Sequence, residues 1–140
     1  MQTNIGKKKP LKVILDSNAF FVPLQFKIDI FEELKTLLNV NFELIILSPI
    51  QKKLENLSRK NSFKTRKWAT FALELTKKCK LLDVDRAEGE SSDDIIVKIA
   101  REWGSPVFTN DRQLKKRLRD INVPVIYVRH KKRLEIEGRL

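Results

Sequence analysis

Five acidic residues stand where a chain could use them together: Asp16, Glu55, the pair Asp93 and Asp94, and Asp111. Asp16 ends the apolar run K-V-I-L-D, and Asp111 follows V-F-T-N. Asp93 and Asp94 open S-D-D-I-I-V-K-I-A, and Glu55 lies within S-P-I-Q-K-K-L-E-N-L. Carboxylates brought close together repel one another unless a cation neutralises them. The chain holds one histidine, His130, and one cysteine, Cys79, so neither a disulfide nor a Cys- or His-based zinc site can form within it. A site made from these acids is all oxygen, which selects a hard ion such as Mg2+ or Mn2+. Such an ion lowers the pKa of a bound water and offsets the charge on a phosphoryl oxygen.

Each acid also has a plain structural use. Asp16 and Asp111 could cap the segments that follow them, and Asp93 or Asp94 could oppose a helix dipole. Glu55 could pair with Lys52, Lys53 or Arg59 on the same helix. What weakens these readings jointly is the placement of the elements. Leu11 to Leu15 reads as a short buried strand, and Phe26 to Leu38 as an amphipathic helix. Phe42 to Leu47 is a second strand, followed by a helix with Ser48 as its cap and Pro49 at its first position. A long helix is expected over about 63–78 and a third strand over Lys80 to Val84. Ser91 or Ser92 caps a helix that runs to Trp103 and ends at Gly104. Val107 and Phe108 form a strand, Asp111 to Asp120 a basic helix, and Val123 to Val128 a last strand.

Apolar strands alternating with helices predict an α/β fold, a three-layer sandwich around a central parallel β-sheet. Ligands of such sheets bind beyond the carboxyl ends of the strands. Asp16 and Asp111 fall at those ends, Asp93 and Asp94 at a strand-to-helix edge, and Glu55 partway into the helix after the second strand. Asp93 shares a helical stripe with Ile96, Val97 and Ala100, whereas Asp94 leads one with Lys98 and Arg101. Asp93 is therefore the favoured ligand, with Asp94 as helper or substitute. A charge at the sheet rim is expected to serve metal binding more than packing.

The charge balance supplies a partner. The 140 residues carry 29 Lys and Arg against 18 Asp and Glu, a formal net charge of +11. So basic a chain suits a polyanion, above all nucleic acid, with a solvated basic surface as the bland alternative. Two segments concentrate the charge: Arg112, Lys115, Lys116 and Arg119 in R-Q-L-K-K-R-L-R, then Arg129, His130, Lys131, Lys132 and Arg133. The length fits a single domain spanning 1–140, with a basic lead over 1–10 and a basic tail over 129–140. No signal-peptide core or membrane-length apolar run is present, so a cytoplasmic protein without membrane contact is expected. A positive periphery around an acidic centre is what metal-dependent phosphodiester cleavage requires.

The motifs I-L-D-S-N, the helical Glu55, S-D-D-I-I-V-K-I-A and F-T-N-D together resemble the PIN-domain nuclease family, over almost the whole chain. Each motif is short, and their order and spacing carry the likeness. A-F-F-V-P-L-Q-F-K-I-D-I-F and V-P-V-I-Y-V-R-H-K-K-R-L resemble the branch holding the eukaryotic small-subunit rRNA-processing nuclease and its archaeal, VapC-like relatives. The resemblance implies a Rossmann-like sheet and Mg2+- or Mn2+-dependent endonucleolytic hydrolysis of RNA. It implies catalytic and metal roles for Asp16, Glu55, Asp93 (or Asp94) and Asp111, and supporting roles for Asn18, Thr109 and Asn110. Its expected partners are rRNA or tRNA, and pre-ribosomal proteins or an antitoxin; a homodimer also fits.

Two other classes compete. An inactive PIN-like scaffold would bind RNA without cutting it, against which stands the full set of acids. A receiver domain with Asp83 as phosphoacceptor would need a Lys ending the last strand, and none does.

Overall fold

The computed structural model describes residues 9–140, so most of the basic lead over 1–10 lies outside the described residues. Six strands form one sheet in the order β3-β2-β1-β4-β5-β6: β1 Leu11–Leu15, β2 Phe42–Leu47, β3 Lys80–Leu82, β4 Val107–Phe108, β5 Val125–Arg129 and β6 Arg133–Glu137. The first five pair in parallel. The mainly apolar central strands β1, β2, β4 and β5 suit such a sheet, whose faces are covered, whereas the edge strand β3 is largely exposed. Val13, Ile14 and Leu15 of β1 and Ile45 to Leu47 of β2 are almost wholly excluded from water.

A 3₁₀ turn at Ser17–Phe21 leads into α1 (Val22–Phe26), then α2 (Ile30–Leu38). The helix expected from Phe26 thus starts only at Ile30, and the short α1 before it is unexpected. Lys27 turns left-handed after α1, and the Asp29 carboxylate caps α2 by accepting from the Phe31 and Glu32 amides. The remaining helices are α3 (Ser48–Leu57), α4 (Phe63–Thr76), α5 (Ser92–Trp103) and α6 (Arg112–Asp120). Ser48 does not cap α3. Its hydroxyl accepts from the Val84 amide at 3.0 Å and donates to the Val84 carbonyl at 3.3 Å, pinning the segment beyond β3. Packing groups α3 with α4 and the 3₁₀ turn, and α5 with α6, while α2 lies along β6.

The tail departs most from expectation. Residues 133–137 form β6, antiparallel to β5, so the sheet is mostly rather than wholly parallel. Leu134 enters the core, and its amide donates to Glu33 of α2 at 3.1 Å. Alternation in R-L-E-I-E puts Leu134 and Ile136 on one face, the period a half-buried strand requires.

The strand order fixes where a site can form. From β1 the chain builds outward through β2 and β3, then returns to the other side of β1 for β4 and continues outward through β5. The carboxyl ends of β1 and β4 therefore flank the reversal point, where open α/β sheets leave a crevice.

Candidate active site

Asp16 follows β1 directly and is only 4 % exposed. Three donors hold its carboxylate. The Ser17 amide reaches Oδ1 at 2.7 Å; the Thr109 hydroxyl and the Asn18 side-chain amide reach Oδ2 at 2.8 Å and 3.1 Å. Its backbone amide donates to Phe108, tying the ends of β1 and β4 together. Thr109, wholly buried, also accepts from the Asp111 amide at 3.1 Å. Asn18 accepts from the Asn110 amide at 3.0 Å, and Asn110 accepts from the Val128 amide at 2.8 Å. The three expected supporting residues thus stitch β1, β4 and β5 at one rim.

Asp111 is the N-cap of α6, its Oδ1 accepting from the Gln113 and Leu114 amides at 2.8 Å and 3.1 Å. The capping use weighed for it is real. It occupies one carboxylate oxygen, Oδ1.

Asp93 stands in the first turn of α5 and is partly buried. Burial raises its carboxyl above the ordinary aspartate range, and the negative charges of Asp16 and Asp111 raise it further; Lys53 and Arg117 pull the other way. Three carboxylates from β1, α5 and α6 therefore share one electrostatic neighbourhood. Asp94 has a different use. It closes a capping box with Ser91, its Oδ2 accepting from the Ser91 amide at 2.9 Å, and pairs with Arg117 at 3.0 Å. Those contacts, the Ser91 hydrogen bonds first, hold its carboxyl below the ordinary range. Glu55 is half-buried on α3, with the Gln51 amide 3.5 Å from its Oε2. It is not among the charges that Asp93 feels most strongly.

The donor chemistry fits a hard divalent cation: all-oxygen, anionic, and oriented by hydrogen bonds from Thr109 and Asn18. Among the described residues, no three His, Cys, Asp or Glu side chains already stand close enough to enclose an ion. The fit thus lies in donor type and mutual electrostatics.

Of the expected RNA-binding residues, Arg112, Lys116, His130, Lys131 and Lys132 are exposed. Others are engaged within the protein. Lys115 and Arg119 pair with Glu137 at 3.3 Å and 3.2 Å, and Arg129 and Arg133 pair with Glu135 at 3.3 Å and 3.1 Å. Sequence reasoning missed Lys53 and Arg117 as the cations facing Asp93. It also missed a cleft lined by Lys52, Lys53, Arg86 and Ser92. Only the adjacency of Lys53 to Glu55 in the sequence hinted at either.

A switch-point crevice rimmed by strand-end acids and framed by cations is the architecture of the PIN domain. The sequence matches the family described as a PIN-like domain over residues 13–131, and the chain belongs to that family. It is 35% identical over 130 residues to ribonuclease VapC4 of Methanocaldococcus jannaschii, covering 91% of this chain and 97% of that protein. To ribonuclease VapC9 of Archaeoglobus fulgidus it is 25% identical over 138 residues, 98% of each. The solved structure of the PIN domain endonuclease Utp24 superposes with a TM-score of 0.78 at 30% identity, covering 94% of each chain. Among the described residues, no helix is long and apolar enough to cross a membrane.

Proposed function

We propose that this protein is an RNA endonuclease that hydrolyses phosphodiester bonds with Mg2+ or Mn2+ held by Asp16, Asp93 and Asp111. Glu55 completes the set from α3, and Asp94 is left to the α5 cap. The observation that carries the reading is the buried Asp16 carboxylate, held by Thr109 and Asn18 where β1 and β4 end, with Asp111 and Asp93 near enough that burial and then their mutual charge disfavour ionisation of Asp93. A cation is what such a group lacks. The relatives named as ribonucleases and as an endonuclease support RNA as the substrate class.

The chain's own residues divide the work. Thr109 and Asn18 orient the Asp16 carboxylate, and the Asn18–Asn110–Val128 chain of hydrogen bonds keeps the β4 and β5 ends in register beneath it. Lys53 and Arg117 place positive charge beside Asp93, where a phosphodiester backbone would lie. A bound divalent ion supplies an activated water and offsets charge on the phosphoryl oxygens. Exposed Arg112, Lys116, Lys131 and Lys132 hold flanking phosphates.

Incubation with a mixed single-stranded RNA should give cleavage with Mn2+ or Mg2+ and none in excess EDTA, while removal of zinc changes nothing. Full cleavage in EDTA would overturn the metal-dependent reading. Maturation of rRNA or tRNA and toxin-type cleavage use this one chemistry. Crosslinking in cells and sequencing of the bound RNA separates those two settings.

A further inference from the structure

A cleft of about 500 Å³ opens beside the acids on the β5 side. Asn18 and Asn110, which support the Asp16 carboxylate, form part of its wall, so its inner end adjoins the candidate active site. Its other walls carry aromatic rings, which the cleft of Lys52, Lys53, Arg86 and Ser92 lacks. Phe26 of α1 and Tyr127 of β5 contribute aromatic rings, and Gln25 contributes an exposed amide. Arg112 and Lys131 line it as exposed cations, and Lys115 lies 3.4 Å from the Tyr127 ring centre, covering one of its two faces.

The hairpin that closes this cleft has unusual backbone. His130 and Lys131 take successive positive φ values of 54° and 58°, in a turn closed by the Lys132 amide donating to the Arg129 carbonyl at 3.1 Å. Residues with side chains adopt that conformation at a cost, and Asn or Gly would serve the turn better. The chain instead spends the position on an imidazole and an ammonium that both line the cleft. Local strain held in this way is a feature of functional sites.

Aromatic faces, an exposed amide and cations in one concavity are the chemistry that recognises an unpaired nucleotide. The base stacks, its edge hydrogen-bonds, and its phosphate is neutralised. A phosphate-only groove needs no aromatic wall, and the cleft of Lys52, Lys53, Arg86 and Ser92 has none. We infer that the cleft between α1 and the β5–β6 hairpin binds one unpaired nucleotide of the substrate, next to the scissile phosphate, and reads its base. The inference rests on the endonuclease reading and deepens it: cleavage is selective for the nucleotide that this cleft accepts.

The test is an NMR titration of the full chain in EDTA with adenosine 5′-monophosphate, and separately with ribose 5-phosphate. The nucleotide should shift the amide signals of Gln25, Tyr127 and Lys131. It should bind at least about fivefold more tightly than the sugar phosphate, the lower end of what one stacked base contributes. Tyr127→Leu should remove that advantage and leave sugar-phosphate binding unchanged. If Tyr127→Leu fails to fold, Gln25→Ala and Lys131→Ala, at exposed positions, must each weaken nucleotide binding. Equal binding of the two probes, or shifts centred on Lys52 and Arg86, would overturn the inference. RNA cleavage measured in parallel separates the two readings. Cleavage without nucleotide entry sinks the cleft alone; nucleotide entry without any cleavage sinks the endonuclease reading and leaves the cleft standing.

Discussion

Asp16→Asn sets two effects against each other. Sequence considerations favour a nearly unchanged fold, because removing a charge at the rim relieves repulsion with Asp93 and Asp111. The structure adds an opposing term. Asp16 Oδ1 accepts from Ser17, and Oδ2 accepts from Thr109 and Asn18. An amide has a single acceptor oxygen, so in either orientation its NH2 faces at least one of these donors. Hydrogen bonds to charged groups contribute about 1.5–3 kcal/mol each, and at least one is lost. The relieved repulsion, reaching a partly exposed neighbour, offsets no more than about 1 kcal/mol. The net expectation is a loss of about 1–2 kcal/mol in metal-free buffer. For a chain of 140 residues that is a fall in Tm of roughly 3–7 °C. Calorimetry or dye-monitored melting in EDTA reads it directly. Excess Mn2+ should then widen the gap, because only the parent protein gains stability from the ion. A variant that melts at or above the parent temperature in EDTA would show that the three hydrogen bonds contribute little and that repulsion dominates the site.

Other expectations follow from the same geometry. Thr109→Val removes the hydroxyl that Asp16 and Asp111 share and should cost about 2–4 kcal/mol in urea denaturation, while Thr109→Ser should cost about 1 kcal/mol. Asp93 is raised in the folded state, so folding favours its protonated form. That favourable contribution is complete below the ordinary aspartate value and is lost as pH rises through the raised one. Asp93→Asn should therefore stabilise the metal-free protein at neutral pH by up to about 1 kcal/mol. The advantage should shrink in denaturation curves as pH falls across that window. Lys131→Ala and Lys132→Ala should each flatten the log–log salt dependence of RNA binding by about 0.7, with little change in cleavage at saturating RNA. Arg133→Ala should do less, since Glu135 already occupies that guanidinium.

Much of this fold could be read from pattern. Where apolar runs met clear punctuation, boundaries came out to the residue: β1, β2 and β4, and the end of α5 at the left-handed Gly104, while its cap, left between Ser91 and Ser92, is Ser91. Errors arose where a side chain's partner lies far off in sequence. Ser48 looks like a cap until Val84, 36 residues away, takes its hydroxyl. Strand β6 was hidden by the basic run before it, although R-L-E-I-E alternates cleanly; its burial depends on α2, and Glu33 gives no local sign of reaching Leu134. The strand-end acids were visible because a charge after an apolar run is conspicuous. Helical periodicity favours Asp93 over Asp94 as the ligand, and that preference stays a proposal; the structure shows only that Asp94 pairs with Arg117. Lys53 and Arg117 as the counter-charges were not visible, since helix cations look alike until the sheet order sets which of them face the crevice.

That sheet order also has a consequence in time. Thr109 and Asp16 are 93 residues apart, yet β4 sits directly against β1. Closing so long a loop comes late, whereas the neighbouring β5–β6 hairpin can form within microseconds. During synthesis β1 emerges early and pairs with β2, but its other edge stays open until β4 leaves the ribosome. Asp16 has neither Thr109 nor Asp111 beside it until then. A nascent chain stalled before Val107 carries Asp16, Glu55 and Asp93 but neither Asp111 nor Thr109, so on the endonuclease reading cutting is expected only as translation nears its end. Ribosome-bound chains arrested at successive lengths and supplied with labelled RNA should stay inert until the segment through α6 has emerged.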